Sequence, residues 1–338
     1  MIRITTGGTL YNYKSQLMNS TNQLNNAYNT VLTGRRFNAY SEDPASATQA
    51  FRLRSSLATA DKQATNNDTV IKKFSTAWDI IGDVYEDLTI DMGKVPALEG
   101  SNDTNLSVLP ELGKVLKSGA EAIVQDMNAK YGDNFIFGGA ETLEVPFELN
   151  EKGELLYRGQ KVDEMDLDDY NAINDSLYVD IGLGFQEADG ELISSSAYDS
   201  ALNGLDFLGY GTDEQGRPNN IISIMNRMGE IFEGYDLETD TFTVGSREEA
   251  QELMSKLEDA SDNLNEMYTK LDADTKYLNT NLDRLTTTKD NLNEQIVNVE
   301  DVDKAQAIMD LVWAQQAYNA ALKIGTNIIP QSLLDYMN

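Results

Sequence analysis

Leucine returns every seven residues from Leu257 through Leu264, Leu271, Leu278, Leu285 and Leu292, and the step closes on Val299. The same interval runs near the start of the chain through Leu10, Leu17, Leu24 and Val31. A period of seven puts these side chains on one narrow seam, so both ends are predicted to be long helices. At about 1.5 Å per residue, Leu257 to Val299 would extend about 65 Å, more than a compact core of this size requires. The second seam position of each heptad is poorer: Tyr13, Ser20 and Ala27 in the first segment, Met267, Asp274, Asn281, Thr288 and Gln295 in the second. Such seams pack weakly alone and need further helices around them.

Between the ends the pattern changes twice. Gly34 offers a helix stop, and Ser41 or Asp43 ahead of Pro44 predicts a restart, with Asp43 favoured as the cap, because proline suits a first helical turn and the carboxylate can accept its free N–H groups. Val70, Phe74, Ala77, Ile81, Val84 and Leu88 continue a helical stripe that Gly93, Pro96 and Gly100 are expected to break. Leu112, Leu116, Gly119, Ile123 and Met127 form another. From Tyr131 to about Gly211, short apolar runs such as Leu155-Leu156-Tyr157 alternate with Gly, Asn and Asp turns, which predicts a strand-rich insert. Helical spacing then returns at Ile221, Ile224, Met225, Met228, Ile231 and Phe232. The expected fold is mainly α with an inserted β-rich domain, its N- and C-terminal segments paired as long antiparallel helices. The expected divisions are a terminal helical assembly domain over 1–42 and 300–338, a helical-bundle core over 43–140 and 211–299, and an acidic outer insert over 141–210.

Charge sharpens this division. Residues 1–41 contain no Asp or Glu, whereas the stretch from Asp133 to Glu214 holds 20 acidic residues against three basic ones. With 26 Lys and Arg against 56 Asp and Glu, the chain carries a formal charge of -30, which repels phosphate backbones and anionic membranes. No basic region precedes Leu257, so the leucine repeat does not read as a nucleic-acid-binding zipper. No run of 18 apolar residues and no apolar N-terminal signal region occurs, so neither membrane insertion nor a Sec-type signal is expected. The ends, with little charge and weak seams, are expected to be mobile in the isolated protein and to order on meeting neighbours.

Catalysis has little to work with. The chain has no His and no Cys, which removes imidazole and thiolate chemistry and fits work in an oxidising exterior without disulfides. The run Asp163-Glu164-Met165-Asp166-Leu167-Asp168-Asp169 invites a calcium reading, but an EF-hand from Asp166 would need Gly and Glu where Asn171 and Leu177 stand. It reads as a solvated acidic loop. Gly182-Leu183-Gly184 lacks the third glycine of a dinucleotide loop, and Trp78 and Trp313 sit on helical stripes where core packing is expected. A carboxylate-based hydrolase is the weakest of the readings. No enzyme activity, metal or cofactor is expected.

One block of residues carries more. Leu32-Thr33-Gly34-Arg35-Arg36, followed by Ser41-Glu42-Asp43-Pro44-Ala45, resembles the N-terminal signature shared by flagellins and the hook-associated proteins of the hook–filament junction. Asn134-Phe135-Ile136-Phe137-Gly138-Gly139, then Pro146-Phe147 and Tyr157-Arg158-Gly159, resemble that family's hairpin region. Gln315-Gln316-Ala317-Tyr318 through Ser332-Leu333-Leu334-Asp335-Tyr336-Met337 resembles its closing motif. The resemblance covers about residues 1–140 and 215–338; Asp43-Pro44 and the Ser-Leu-Leu-Asp-Tyr ending look more like the junction protein than filament flagellin.

The resemblance implies a structural protein exported unfolded through the flagellar type III channel to the cell exterior, where it forms a ring. The implied partners are the other hook-associated protein, flagellin and an export chaperone, with no nucleic acid. Assembly is expected to rest on Leu10, Leu17, Leu24, Val31, Leu285, Leu292 and Val299 in the seams, and on Gly34, Arg35, Arg36, Asp43 and Pro44 in the first motif. Tyr318, Leu322, Leu333, Leu334 and Tyr336 complete the set in the last. Filament flagellin is the alternative within the family, and a coiled-coil adhesin or phage-tail component is the alternative outside it.

Overall fold

The structure, a computed structural model, describes residues 6–101, 106–150, 153–188 and 191–328. Long helices dominate it: α1 (Thr6–Thr33), α2 (Pro44–Glu86), α3 (Lys94–Ser101), α4 (Leu109–Met127), α5 (Leu167–Ile173), α6 (Gly204–Leu208), α7 (Ile221–Glu233), α8 (Arg247–Glu300) and α9 (Lys304–Ile328). The chain divides into two compact units, residues 1–61 with 287–338, and residues 62–286. The leucine heptad lies within the single helix α8, which no proline interrupts.

The unit of residues 62–286 is built on two stripes read from the sequence. Val70, Phe74, Ala77, Ile81, Val84 and Leu88 along α2, and Leu257, Leu264, Leu271 and Leu278 along α8, are buried in one core with α4 and α7. The weaker seam positions have their own chemistry. Asn281 is buried and donates to the Ile181 carbonyl at 2.8 Å and to the Asn67 side-chain oxygen at 3.3 Å, while Asn67 donates to the Leu278 carbonyl at 2.8 Å. Arg284 adds bonds to the Asn281 oxygen and to the Gly182 carbonyl, both from its guanidinium. A buried amide this well satisfied fixes register rather than weakening the core.

The expected break after Leu88 is narrower than the sequence suggests. A π-helical turn covers Asp87–Asp91, and α3 then runs through Pro96 and Gly100. Pro96 is tolerated because it stands third in α3, in the first turn, where a backbone N–H has no intrahelical acceptor.

Strands are short and antiparallel. β1 (Lys130–Tyr131) pairs with β2 (Asn134–Phe135), and β3 (Phe147–Leu149), β4 (Leu155–Tyr157) and β5 (Gln160–Lys161) form a three-stranded sheet. β6 (Tyr178–Val179) pairs with β9 (Tyr198–Asp199), β7 (Glu187–Ala188) with β8 (Glu191–Leu192), and β10 (Tyr235–Asp236) with β11 (Thr241–Phe242). The acidic middle of the chain shares its core with the helices: Phe147, Leu155, Tyr157, Ile181 and Leu205 join the same buried cluster. The Tyr157 hydroxyl donates to the Phe137 carbonyl at 3.0 Å, and the Phe147 and Tyr157 ring centroids lie 4.8 Å apart. The acidic run at Asp166 is a helix start. Its carboxylate accepts the N–H groups of Asp168 and Asp169, and the Asp169 carboxylate accepts the N–H of Asp166, a closed capping box for α5.

Candidate assembly interface

The unit of residues 1–61 and 287–338 is an antiparallel pairing of α1 with α9, joined by the start of α2 and the end of α8. Half-buried positions on α1 fall at Tyr13, Leu17, Ser20, Leu24, Ala27 and Val31, alternating steps of four and three. On α9 the same steps pick out Ala307, Leu311, Ala314, Tyr318, Ala321 and Gly325. The small residues let the helices approach closely. A Cβ at Gly325 would lie 2.0 Å from the Tyr13 hydroxyl oxygen, so glycine is the residue that leaves room for the ring.

At the other end the pair is locked by backbone. Gly34 ends α1 with φ +68°, a conformation glycine adopts without strain. Its carbonyl accepts the Val302 N–H at 3.1 Å, Arg35 forms an antiparallel bridge with Asp301, and the Arg36 N–H donates to the Glu300 carbonyl at 2.6 Å. Glu300 is buried, and Arg54 grips its carboxylate with two guanidinium bonds of 2.8 and 2.5 Å. Asp43 accepts the Ser46 N–H at 3.1 Å and caps α2, with Pro44 as first helical residue. The Ser46 bonds first, and Arg36 more weakly, hold its carboxyl below the usual carboxylate range. The side chains of Arg35 and Arg36 are exposed.

The residues singled out from sequence therefore separate. Leu17, Leu24, Val31 and Tyr318 lie in the α1–α9 seam, whereas Leu10 is 46% and Leu322 41% exposed. Leu292 and Val299 are half-buried near the end of α8, and Leu285 is buried in the unit of residues 62–286, where its methyl approaches Gly182. Leu333, Leu334 and Tyr336 lie outside the described residues. Trp78 stacks on Tyr268 at 4.8 Å, but Trp313, expected in a core, is 70% exposed. Its stripe turns away from α1, because the seam of α9 is taken by the smaller side chains.

Arg54, Glu300 and Gly325 join the site without belonging to any motif. Arg54 and Glu300 stand 246 positions apart, and no local pattern links them. Gly325 was visible in principle, since Ala307, Ala314, Ala321 and Gly325 keep seam spacing with side chains too small to register as apolar.

What the seam leaves over is the notable surface. Tyr11, Met18, Tyr28 and Leu32 on α1, and Ile308, Val312, Trp313 and Ile324 on α9, are all exposed. A solvated pair of helices of this kind normally presents polar residues on such faces.

Residues 254–337, which include most of α8 and all of α9, match the family described as the bacterial flagellin C-terminal helical region. The C-terminal helices are thus similar to that flagellin region. The fold is that of flagellar hook-associated proteins. A hook-associated protein from Vibrio parahaemolyticus matches with a TM-score of 0.57 at 16% identity, over 77% of this chain and 100% of that one. FlgL from Xanthomonas campestris matches with a TM-score of 0.54 at 10% identity, over 72% and 99%. Hook-associated protein 3 from Legionella pneumophila gives 0.53 at 10%, over 73% and 98%. A comparison with curated proteins returns no match. At these identities the structures establish the fold; with the flagellin-type C-terminal region they support a structural role in the flagellum. Among the described residues no helix is long and apolar enough to cross a membrane.

Proposed function

We propose that this chain is an adaptor subunit of the bacterial flagellum that joins hook to filament by packing its terminal helices against those of neighbouring subunits. The observation that carries the reading is the α1–α9 pair, whose own seam is filled while two rows of large apolar side chains stay open. A helix pair buries too little to be firmly stable alone, so added neighbours would supply much of its ordering free energy. In this reading residues 1–42 and 300–338 act as the assembly domain, packed against neighbouring subunits in a ring. Arg35 and Arg36, exposed beside a rigid backbone lock, are suited to contact the next subunit.

The same reading makes the protein a secreted one, exported unfolded by the flagellar type III channel with a chaperone and placed between the other hook-associated protein and flagellin. The absence of Cys suits that route, since no disulfide has to form outside the cell. Electron microscopy of a strain lacking the protein tests it. Such a strain should build hooks, carry no filaments and spill unpolymerised flagellin into the medium. Normal filaments would end the adaptor reading, and a medium free of flagellin would favour this chain being flagellin itself.

A further inference from the structure

Within the unit of residues 62–286, a cavity of about 300 Å³ lies between α2, the β1–β2 hairpin and the segment carrying β6. Val70, Phe135, Ile136 and Val179 supply apolar walls, and among the described residues Lys73 is the one cation in its lining. The Lys73 ammonium donates to the Ser200 carbonyl at 2.8 Å, which uses one of its three N–H bonds. Among the described residues no carboxylate lies within 4.0 Å of it. The nearest acid influence is Asp199, whose Oδ1 already accepts the N–H groups of Leu177 and Ala201.

This is unusual for a chain with more than two acids for every base. Several cations elsewhere are answered by acids: Arg54 by Glu300, Arg217 and Lys256 by Asp213, Arg227 by Glu249. Lys73 instead faces an apolar chamber. Burial pushes its amine down to about 8, against the weaker opposing pull of Asp199, so at neutral pH it is still largely protonated and incompletely compensated. Tethering Ser200 would explain one bond of the amine but not the apolar space in front of it.

We propose that this cavity is a binding site for a small monocarboxylate with an apolar body, its carboxylate on the Lys73 ammonium and its chain against Val70, Phe135, Ile136 and Val179. A single cation suits a monoanion rather than a phosphate, which would bring a second charge with no partner. The volume equals roughly ten waters, room for an acid of about eight carbons.

Octanoate and 1-octanol, equal in chain length, serve as probes for the full-length protein in two-dimensional amide NMR. Octanoate should shift resonances of residues 66–73 and 131–142 saturably, and should bind at least tenfold more tightly than the alcohol. Its affinity should fall as pH rises past about 8, where the amine loses its proton. Lys73→Met should lose that preference while keeping the remainder of the spectrum, and Val179→Phe, which fills the chamber, should block both probes. Equal binding of acid and alcohol, unchanged octanoate affinity in K73M, or no shift in these segments at about 10 mM octanoate would overturn the proposal. The wild-type comparison decides the matter even if K73M does not fold.

Discussion

Asn281 shows how much a single residue can differ from its place in a pattern. In the heptad it is a defect in an apolar seam; in the core it is a junction that reaches Asn67 on α2 and the Ile181 carbonyl in the loop after β6. Asn281→Leu would improve the heptad on paper while leaving the Ile181 carbonyl and the Arg284 guanidinium without this partner. It should destabilise the protein by about 1–3 kcal/mol, read from urea unfolding. The paired change of Asn67 and Asn281 to Leu should cost less than the sum of the two single changes, because each single variant strands the other amide. No loss of stability in Asn281→Leu would show that the amide network contributes nothing. The position was legible from the sequence only as an anomaly, since the two groups it donates to lie 214 and 100 positions away in chain order.

At the scale of elements, the sequence set residues 1–42 and 300–338 together, but its leucine repeat was no guide to which helices meet. Both α1 and α8 carry a leucine repeat, which makes them look like partners. The structure pairs α1 with α9 and buries the α8 leucines 257, 264, 271 and 278 among α2, α4 and α7. The reason is steric. The small side chains of α9 permit close approach, and the covalent turn at Asp301–Asp303 brings α9 back against α1, where Gly34 and Val302 bond. Gly325→Ala should therefore drive a methyl into the Tyr13 ring, an overpacking cost of about 1–3 kcal/mol borne by the helix pair. Amide exchange in α1 and α9 should speed up while the α2 and α8 core keeps its protection, and Tyr13→Leu in the same chain should restore much of the loss. Unchanged exchange in the single variant would show that the two helices do not meet at this register.

For the whole molecule, charge and burial act together on pH dependence. Asp87, Asp126, Asp163, Asp206 and Asp274 all have carboxyl pKa values raised above the usual one, in each case first by burial, with neighbouring acids adding to it at Asp87, Asp126 and Asp163. A raised value means that the folded state binds protons more readily than the unfolded chain, so these groups favour folding increasingly as pH falls toward their raised range. Asp213 works the other way. Lys256 and Arg217 hold it well below the usual range, so its contribution is present at neutral pH and lost as pH drops below the ordinary carboxylate value. A formal charge of -30 adds self-repulsion that mild acid also relieves. Thermal unfolding should therefore give a higher midpoint near about pH 5 than at about pH 8, then a fall near about pH 3. In about 0.5 M salt, which screens the surface repulsion, part of the acid gain should persist because buried groups are screened less. A midpoint that rises steadily from pH 5 to 8 would contradict the assignment.

Periodicity is a property of the chain, and with it the sequence fixes the helices α1, α2, α4, α7 and α8, the stop at Gly34, the cap at Asp43 and the change of texture near Tyr131. These depend on residues within a few turns of each other, where local geometry dominates. The scarcity of basic residues and the lack of His and Cys likewise follow from composition alone. Tertiary structure decides the rest: that the α8 leucines 257 to 278 are buried among α2, α4 and α7, that the acidic middle shares a core with the helices, that Arg54 meets Glu300, and that Lys73 lines an apolar chamber. Each of these joins residues far apart in sequence, and is settled by which side chains fit when surfaces close, information that no local pattern carries.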